Sequence, residues 1–188
     1  MKLTDLKSRY DIGHVLTEMG LLGRGVEVGV AFGENAEIIL DSCEISQLIL
    51  VDPWNYVPNE NPKGFADAIK DWSGCYLYCE DKLRRFGDRA VMTRLSSVQG
   101  ARAFQNNSLD FVYIDANHMR PYIDNDLNAW FDKVKKGGIF GGHDYHNVNT
   151  ENYQCNVKDA VDEFFSQTNY TIHVTNAEGD APSWYIIK

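Results

Sequence analysis

Two short runs of this sequence, Asp115-Ala116-Asn117-His118 and Gly141-Gly142-His143-Asp144-Tyr145-His146, concentrate carboxylates beside imidazoles. Such a set can hold a divalent ion. The oxygens of Asp115 and Asp144 favour Mg²⁺ or Mn²⁺, and the nitrogen of His143 admits softer metals. An ion held there would bind an acceptor hydroxyl, lower its pKa and aim its oxygen at an electrophile. His118 follows Asp115 by three residues, and an ordinary imidazole pKa of about 6.5 suits a general base near neutrality. The same residue types also serve loops as simple hydrogen-bond partners, and that alternative stands beside the metal.

The second constellation is Glu27-Val28-Gly29-Val30-Ala31-Phe32-Gly33, where glycines let the backbone turn tightly and approach a ligand. A dinucleotide fingerprint beginning at Gly29 would need glycines at 31 and 34, and the chain has Ala31 and Glu34 there. A pyrophosphate would sit on the helix N-terminus, where Glu34 would oppose it. A phosphate-free zwitterion meets no such conflict. S-adenosylmethionine is one, and Glu27 is an acid placed to favour its ammonium and sulfonium. Asp52 lies nineteen residues past Gly33, close to the spacing at which an acid takes ribose hydroxyls. Trp54 is a candidate wall for the adenine, with plain packing as its alternative, and Ser96 and Ser97 are candidates for the adenine edge.

These residues need elements to bring them together. Leu6, Tyr10, Val15, Leu16 and Met19 fall at mainly helical spacing, which predicts a leading helix over 4–20 stopped by Gly20 or Gly23. Strands are predicted at 26–28, 47–51, 90–95, 109–114 and 138–142, and helices at 36–40, 64–86, 98–104 and 121–134, with a polar loop over 55–63. A helix at about 156–167 and strands at 170–175 and 183–187 complete the chain. Strands alternating with helices imply an α/β fold with a mostly parallel sheet, helices on both faces and a C-terminal antiparallel hairpin. Ligands in such sheets bind at the carboxyl ends of the strands, where Glu27, Asp52, Asp115, His143 and Asp144 fall.

The 188 residues suit a single domain. Its expected parts are a leading helix over 1–24, a cofactor and catalytic core over 25–146, and a C-terminal helix and hairpin over 147–188. A net charge of −9 and a pI near 4.9 would repel a phosphate backbone, so no nucleic-acid partner is expected. No run is long and apolar enough for a membrane span or a signal peptide, and the expectation is a soluble cytoplasmic protein. Cys43, Cys75, Cys79 and Cys155 lack paired spacing and read as reduced thiols.

Taken in order, the segments at 25–34, 51–54, 110–115 with His118 and Tyr122, and 136–145 resemble the class I methyltransferases that use S-adenosylmethionine. The resemblance is to the small subgroup with a G-x-E-[IV]-G-V loop and a G-G-H-D-Y strand end. It implies a Rossmann-like, seven-stranded sheet. In the related metal-dependent O-methyltransferases, an acid after strand four and two residues after strand five bind Mg²⁺, and by position these are Asp115, His143 and Asp144. His118 stands where the catechol enzymes carry a lysine base, and His143 departs from the usual Asp or Glu. The implied activity is methylation of a small-molecule or sugar hydroxyl; the short loops of a 188-residue chain, with no evident substrate domain, add the expectation that a neighbouring subunit of a homo-oligomer completes the pocket. A non-catalytic nucleoside- or metal-binding module is the alternative, and an NAD-dependent oxidoreductase is disfavoured by Ala31 and Glu34.

Overall fold

The computed structural model describes residues 6–55, 69–175, 179 and 181–188. Residues 4–5 of the leading helix, loop positions 56–63 and residues 64–68 of the following helix fall outside the described residues.

Nine strands are described: β1 (Arg24–Val28), β2 (Gln47–Val51), β3 (Ala90–Thr93), β4 (Leu109–Ile114), β5 (Val134–Gly142), β6 (Val148–Asn149), β7 (Gln154–Cys155), β8 (His173–Val174) and β9 (Trp184–Ile187). Seven form one sheet in the order β3-β2-β1-β4-β5-β9-β8. The first five are parallel, while β9 runs antiparallel to both β5 and β8. This is the Rossmann-like, seven-stranded and mostly parallel sheet that the resemblance implies, with its reversed C-terminal hairpin. The order reverses at β1, so the ends of β1 and β4 are neighbours, and the crevice for a ligand opens there.

Two-residue alternation along each strand divides the apolar side chains between two cores. Leu48, Leu50, Phe111, Tyr113, Ile139 and Tyr185 face α1 (Ile12–Met19), α2 (Glu34–Ser42) and α3 (Trp72–Leu83). Val26, Val28, Ile49, Val51, Val112, Ile114 and Phe140 face α4 (Ser97–Ala101), α5 (Tyr122–Trp130) and α6 (Val157–Phe165). All six residues of β4 are buried, as a strand covered on both faces requires. Burying one such Val, Leu, Ile or Phe stabilises the fold by roughly 1.5–3 kcal/mol.

The leading helix is shorter than its periodicity predicts. α1 begins at Ile12, after a 3-10 turn at Arg9–Asp11. Asp11 Oδ2 accepts the backbone N–H of Lys7 and of Ser8, each at 3.1 Å, and Ser8 is extended. The Ser8-x-x-Asp11 pattern is a helix-start signal that outweighs the apolar spacing upstream. At the other end Gly20 adopts φ +67 and donates its N–H to Leu16 and Thr17, a left-handed stop.

Two further differences concern β5 and the connection that follows it. β5 starts at Val134 rather than 138, because exposed Lys135 and Lys136 disguise its first half. The small β6–β7 hairpin has two-residue strands, too short to show any period. Among the described residues no helix is long and apolar enough to cross a membrane.

Candidate functional site

β1 ends at Val28 and the chain turns at Gly29, whose φ is +83 and whose N–H donates to Val51 O at 2.9 Å. A Cβ here would lie 2.2 Å from Asp115 O and 2.6 Å from Ala116 Cα. Glycine is therefore required on two counts, conformation and the approach of β4. Ala31 is also left-handed, at φ +47, and Gly33 caps α2 at φ +78.

Asp52 holds this loop in shape. Its Oδ2 accepts the N–H groups of Val30 at 2.8 Å and Ala31 at 3.0 Å, and its Oδ1 accepts Trp54 N–H at 2.7 Å. The carboxylate is thus turned toward the loop and is 6% exposed. Both acceptor sites of Oδ2 are thus taken, and Oδ1 keeps a second lone pair. Trp54 is 1% exposed, and its Nε1 donates to Ala31 O at 2.9 Å. The indole therefore braces the loop from the core rather than presenting an open ring face. These two residues together stabilise the uncommon φ of Ala31.

Glu27 points from β1 toward α2, where its Oε1 accepts Asn35 Nδ2 at 3.2 Å. Among the described residues its other oxygen is buried without a hydrogen-bond partner, as is Asn35 Oδ1. Burial pushes the carboxyl pKa well up, against the Asn35 hydrogen bond. A buried acid with an unanswered oxygen marks a place for a donor or a cation from a ligand. Asn35 was not singled out in the sequence; a polar residue in the first turn of a helix after a glycine loop is the signal that points to it.

The ends of β4 and β5 deliver the second group. Asp115 N–H donates to Val28 O at 2.7 Å and His143 N–H to Ile114 O at 3.0 Å, which ties the strand ends together. Asp144 takes a left-handed φ of +53 and brings its carboxylate among three imidazoles. His143 Nδ1 is 3.1 Å from Asp144 Oδ2, His118 Nε2 is 3.4 Å from it, and His146 Nε2 is 3.6 Å from Oδ1. Asp115 Oδ1 lies 3.2 Å from His118 Nε2 and 3.9 Å from His143 Nδ1. Asp115, His118 and Asp144 form a group whose donor atoms all lie within 4.8 Å of one another. That group contains His118 where the sequence led to His143; His143 lies beside it, with Nδ1 within 3.1 Å of Asp144 and 3.9 Å of Asp115.

The electrostatics are mutual. Burial alone would lower the His118 pKa, but the hydrogen bond and charge of Asp115, with the charge of Asp144, raise it. His143 rises for the same reasons, with Asp144 as its hydrogen-bond partner. For Asp144 burial works upward, and the surrounding imidazoles bring the net shift downward. The β6–β7 hairpin backs this cluster: Tyr153 Oη is 3.4 Å from His118 Nδ1, and Asn156 N–H donates to His118 O at 2.8 Å. Arg9, reaching in from the turn before α1, places Nη1 3.8 Å from Asp115 Oδ2. Arg9 and Tyr153 carried no local motif, because only the fold makes them neighbours of this cluster, whereas His146 closes the run that begins at Gly141.

Ser96 and Ser97 do follow β3, but Ser97 looks inward. Its Oγ donates to Asp126 Oδ1 and accepts Trp130 Nε1 at 2.9 Å. Ser96 N–H donates to Gln99 Oε1 at 3.2 Å, which starts α4. All four cysteines are free and buried, as expected of reduced thiols.

Comparison with known proteins places this geometry in context. A family model described as a methyltransferase domain matches residues 26–145. No curated protein matches in sequence. Among solved structures, a Staphylococcus aureus protein provisionally described as a caffeoyl-CoA O-methyltransferase is similar at a TM-score of 0.69 and 15% identity, covering 98% of this chain and 84% of its own. An O-methyltransferase from Streptomyces achromogenes, involved in tomaymycin synthesis and in complex with S-adenosylmethionine, matches at a TM-score of 0.63 and 11% identity, with 96% and 79% covered. An rRNA methylase from Streptococcus thermophilus matches at a TM-score of 0.62 and 12% identity, with 97% and 98% covered. At these identities the likeness is one of fold.

Proposed function

This chain belongs to the methyltransferase-domain family, and from that premise we propose that it methylates a hydroxyl of a small-molecule or sugar acceptor, using S-adenosylmethionine and a divalent metal ion. The observation that carries this reading is the convergence of Asp115, His143 and Asp144, with His143 Nδ1 3.9 Å from Asp115 Oδ1 and 3.1 Å from Asp144 Oδ2, beside His118 and the loop that Gly29 brings against Asp115 O.

The residues present fit both groups. Glu27 offers a buried oxygen without a partner, a place for the ammonium of a zwitterion. Asp52 and the loop amides at 30–31 shape the floor for a ribose. Asp115 and Asp144 supply carboxylate oxygens and His143 a nitrogen, a donor set suited to Mg²⁺, Mn²⁺ or a softer dication.

S-adenosylmethionine supplies a methyl group on a positively charged sulfur, and a dication would supply charge to stabilise the acceptor oxygen as it loses its proton. Asp115, His143 and Asp144 would hold that charge at the strand ends. His118 is the more exposed ring, its side chain 18% accessible against 9% for His143, so it takes the role of base. It accepts the hydroxyl proton while the C–O bond forms and the C–S bond breaks. Tyr153 holds its far nitrogen and so orients the ring.

A net charge of −9 supports a small acceptor over a nucleic acid, whose phosphates it would repel. Four free, buried thiols suit a reducing cytoplasm. The test is methyl transfer from labelled S-adenosylmethionine to a panel of catechols and sugars, with and without chelator. Chelation is expected to abolish turnover and Mg²⁺ or Mn²⁺ to restore it. Full activity in excess chelator would remove the metal from the reading, and tight NAD binding without any response to S-adenosylmethionine would overturn it altogether.

A further inference from the structure

Arg9 sits on the 3-10 turn before α1, and that turn is fixed. Asp11 clamps it through the N–H groups of Lys7 and Ser8, and α1 is rooted by buried Ile12, Val15 and Leu16. From this base the side chain reaches the crevice between β1 and β4, with Nη1 3.8 Å from Asp115 Oδ2. Its charge acts on Glu27, Tyr113 and His143 alike. The guanidinium thus stands over the gap between Glu27 and the end of β4.

The acids Glu27, Asp115 and Asp144 lie along that gap, with His118 and His143 beside the last two. They suit the ammonium of an amino-acid ligand, yet an α-amino acid carries its carboxylate on the same carbon. Wherever Glu27 draws the ammonium, the carboxylate must follow into the same acidic surroundings. There it needs a cation close by. Among the described residues Arg9 brings a guanidinium to this crevice, beside Asp115, and a guanidinium fork matches a carboxylate bidentately.

We propose that Arg9 binds the methionine carboxylate of S-adenosylmethionine, so that Glu27 and Arg9 divide between them the two charges of one zwitterionic end. This rests on the cofactor reading given above. It makes the turn before α1 part of the cofactor site and makes the chain selective for the intact amino acid over a decarboxylated ligand.

The test compares two ligands by calorimetry in the full-length protein: S-adenosylhomocysteine, which keeps the carboxylate, and decarboxylated S-adenosylmethionine, which lacks it. Arg9→Ala is expected to weaken S-adenosylhomocysteine about 10- to 100-fold, the usual size for a charge-assisted pair, and to leave the decarboxylated ligand within about twofold. Arg9→Lys should recover part of the loss. If Arg9→Ala does not fold, Arg9→Gln carries the same comparison. Unchanged S-adenosylhomocysteine binding, or equal weakening of both ligands, would overturn the assignment. Failure of the wild-type protein to bind either ligand would instead overturn the cofactor reading.

Discussion

Nε2 of His118 stands 3.2 Å from Oδ1 of Asp115, three residues before it. One side chain thus touches a proposed metal ligand while facing the mouth of the site. Its pKa lies above the ordinary value despite burial, because Asp115 and Asp144 favour the charged ring. In metal-free protein His118 should therefore keep its proton to a higher pH than an exposed imidazole. A dication neutralising the same carboxylates should shift the titration to lower pH, which a ring-proton NMR titration would read. Replacing His118 with Ala is expected to lower kcat by roughly 10²- to 10⁴-fold with S-adenosylhomocysteine affinity intact. An unchanged rate would remove it from the mechanism.

Glu27 should couple cofactor binding to proton release. Burial raises its pKa, so at a pH below that raised pKa the free protein holds a proton there that an arriving ammonium displaces. Affinity should therefore rise with pH until the free-state pKa is passed. Calorimetry in buffers of different ionisation enthalpy should show a proton released on binding, and Glu27→Gln should abolish it. Identical heats in all buffers for the wild type would contradict the assignment.

Asp126 should make the fold weaken as pH rises. Burial lifts its pKa to about 7, against the hydrogen bond from Ser97, while the unfolded value is about 3.9. Between those values the folded chain holds a proton that the unfolded chain has lost, so stability falls as pH increases and levels off above the folded pKa. The loss is on the order of 4 kcal/mol. Asp126→Asn should flatten this part of a denaturant-derived stability profile. Ser97→Ala should cost about 1–2 kcal/mol and leave cofactor affinity unchanged; a marked loss of affinity would return Ser97 to the adenine edge.

Gly29, Gly33 and Gly20 form a graded series. All three have positive φ, at +83, +78 and +67. An Ala at Gly20 meets open space, at Gly33 it meets the Cys79 side chain at 2.8 Å, and at Gly29 it meets backbone atoms of Asp115. Gly20→Ala should cost about 1 kcal/mol from conformation alone, Gly33→Ala somewhat more, and Gly29→Ala the most, with loss of cofactor binding. Equal melting temperatures for the three variants would contradict this order.

The strands at 47–51 and 109–114 and the chain order of alternating strands and helices were legible in the sequence, because they rest on local periodicity and on connection rules for parallel sheets. Glu27, Gly29, Asp52, Asp115, His143 and Asp144 were legible for a related reason. Each lies at or just beyond a strand's carboxyl end, and the sheet then carries them to one crevice. The helix start at Ile12 was also written locally, in Ser8 and Asp11, though apolar spacing masked it.

Other features depend on contacts between residues far apart in the chain, and tertiary structure alone decided them. Asp52 turns its oxygens to Val30, Ala31 and Trp54 because β2 ends beside the β1 loop. Ser97 looks inward because α5 presents Asp126 and Trp130 to it. Tyr153 meets His118 across 35 positions, and Arg9 meets Asp115 only after α1 has packed on the sheet. Periodicity specifies which face of an element is apolar, and the packing of those faces determines which polar ends meet.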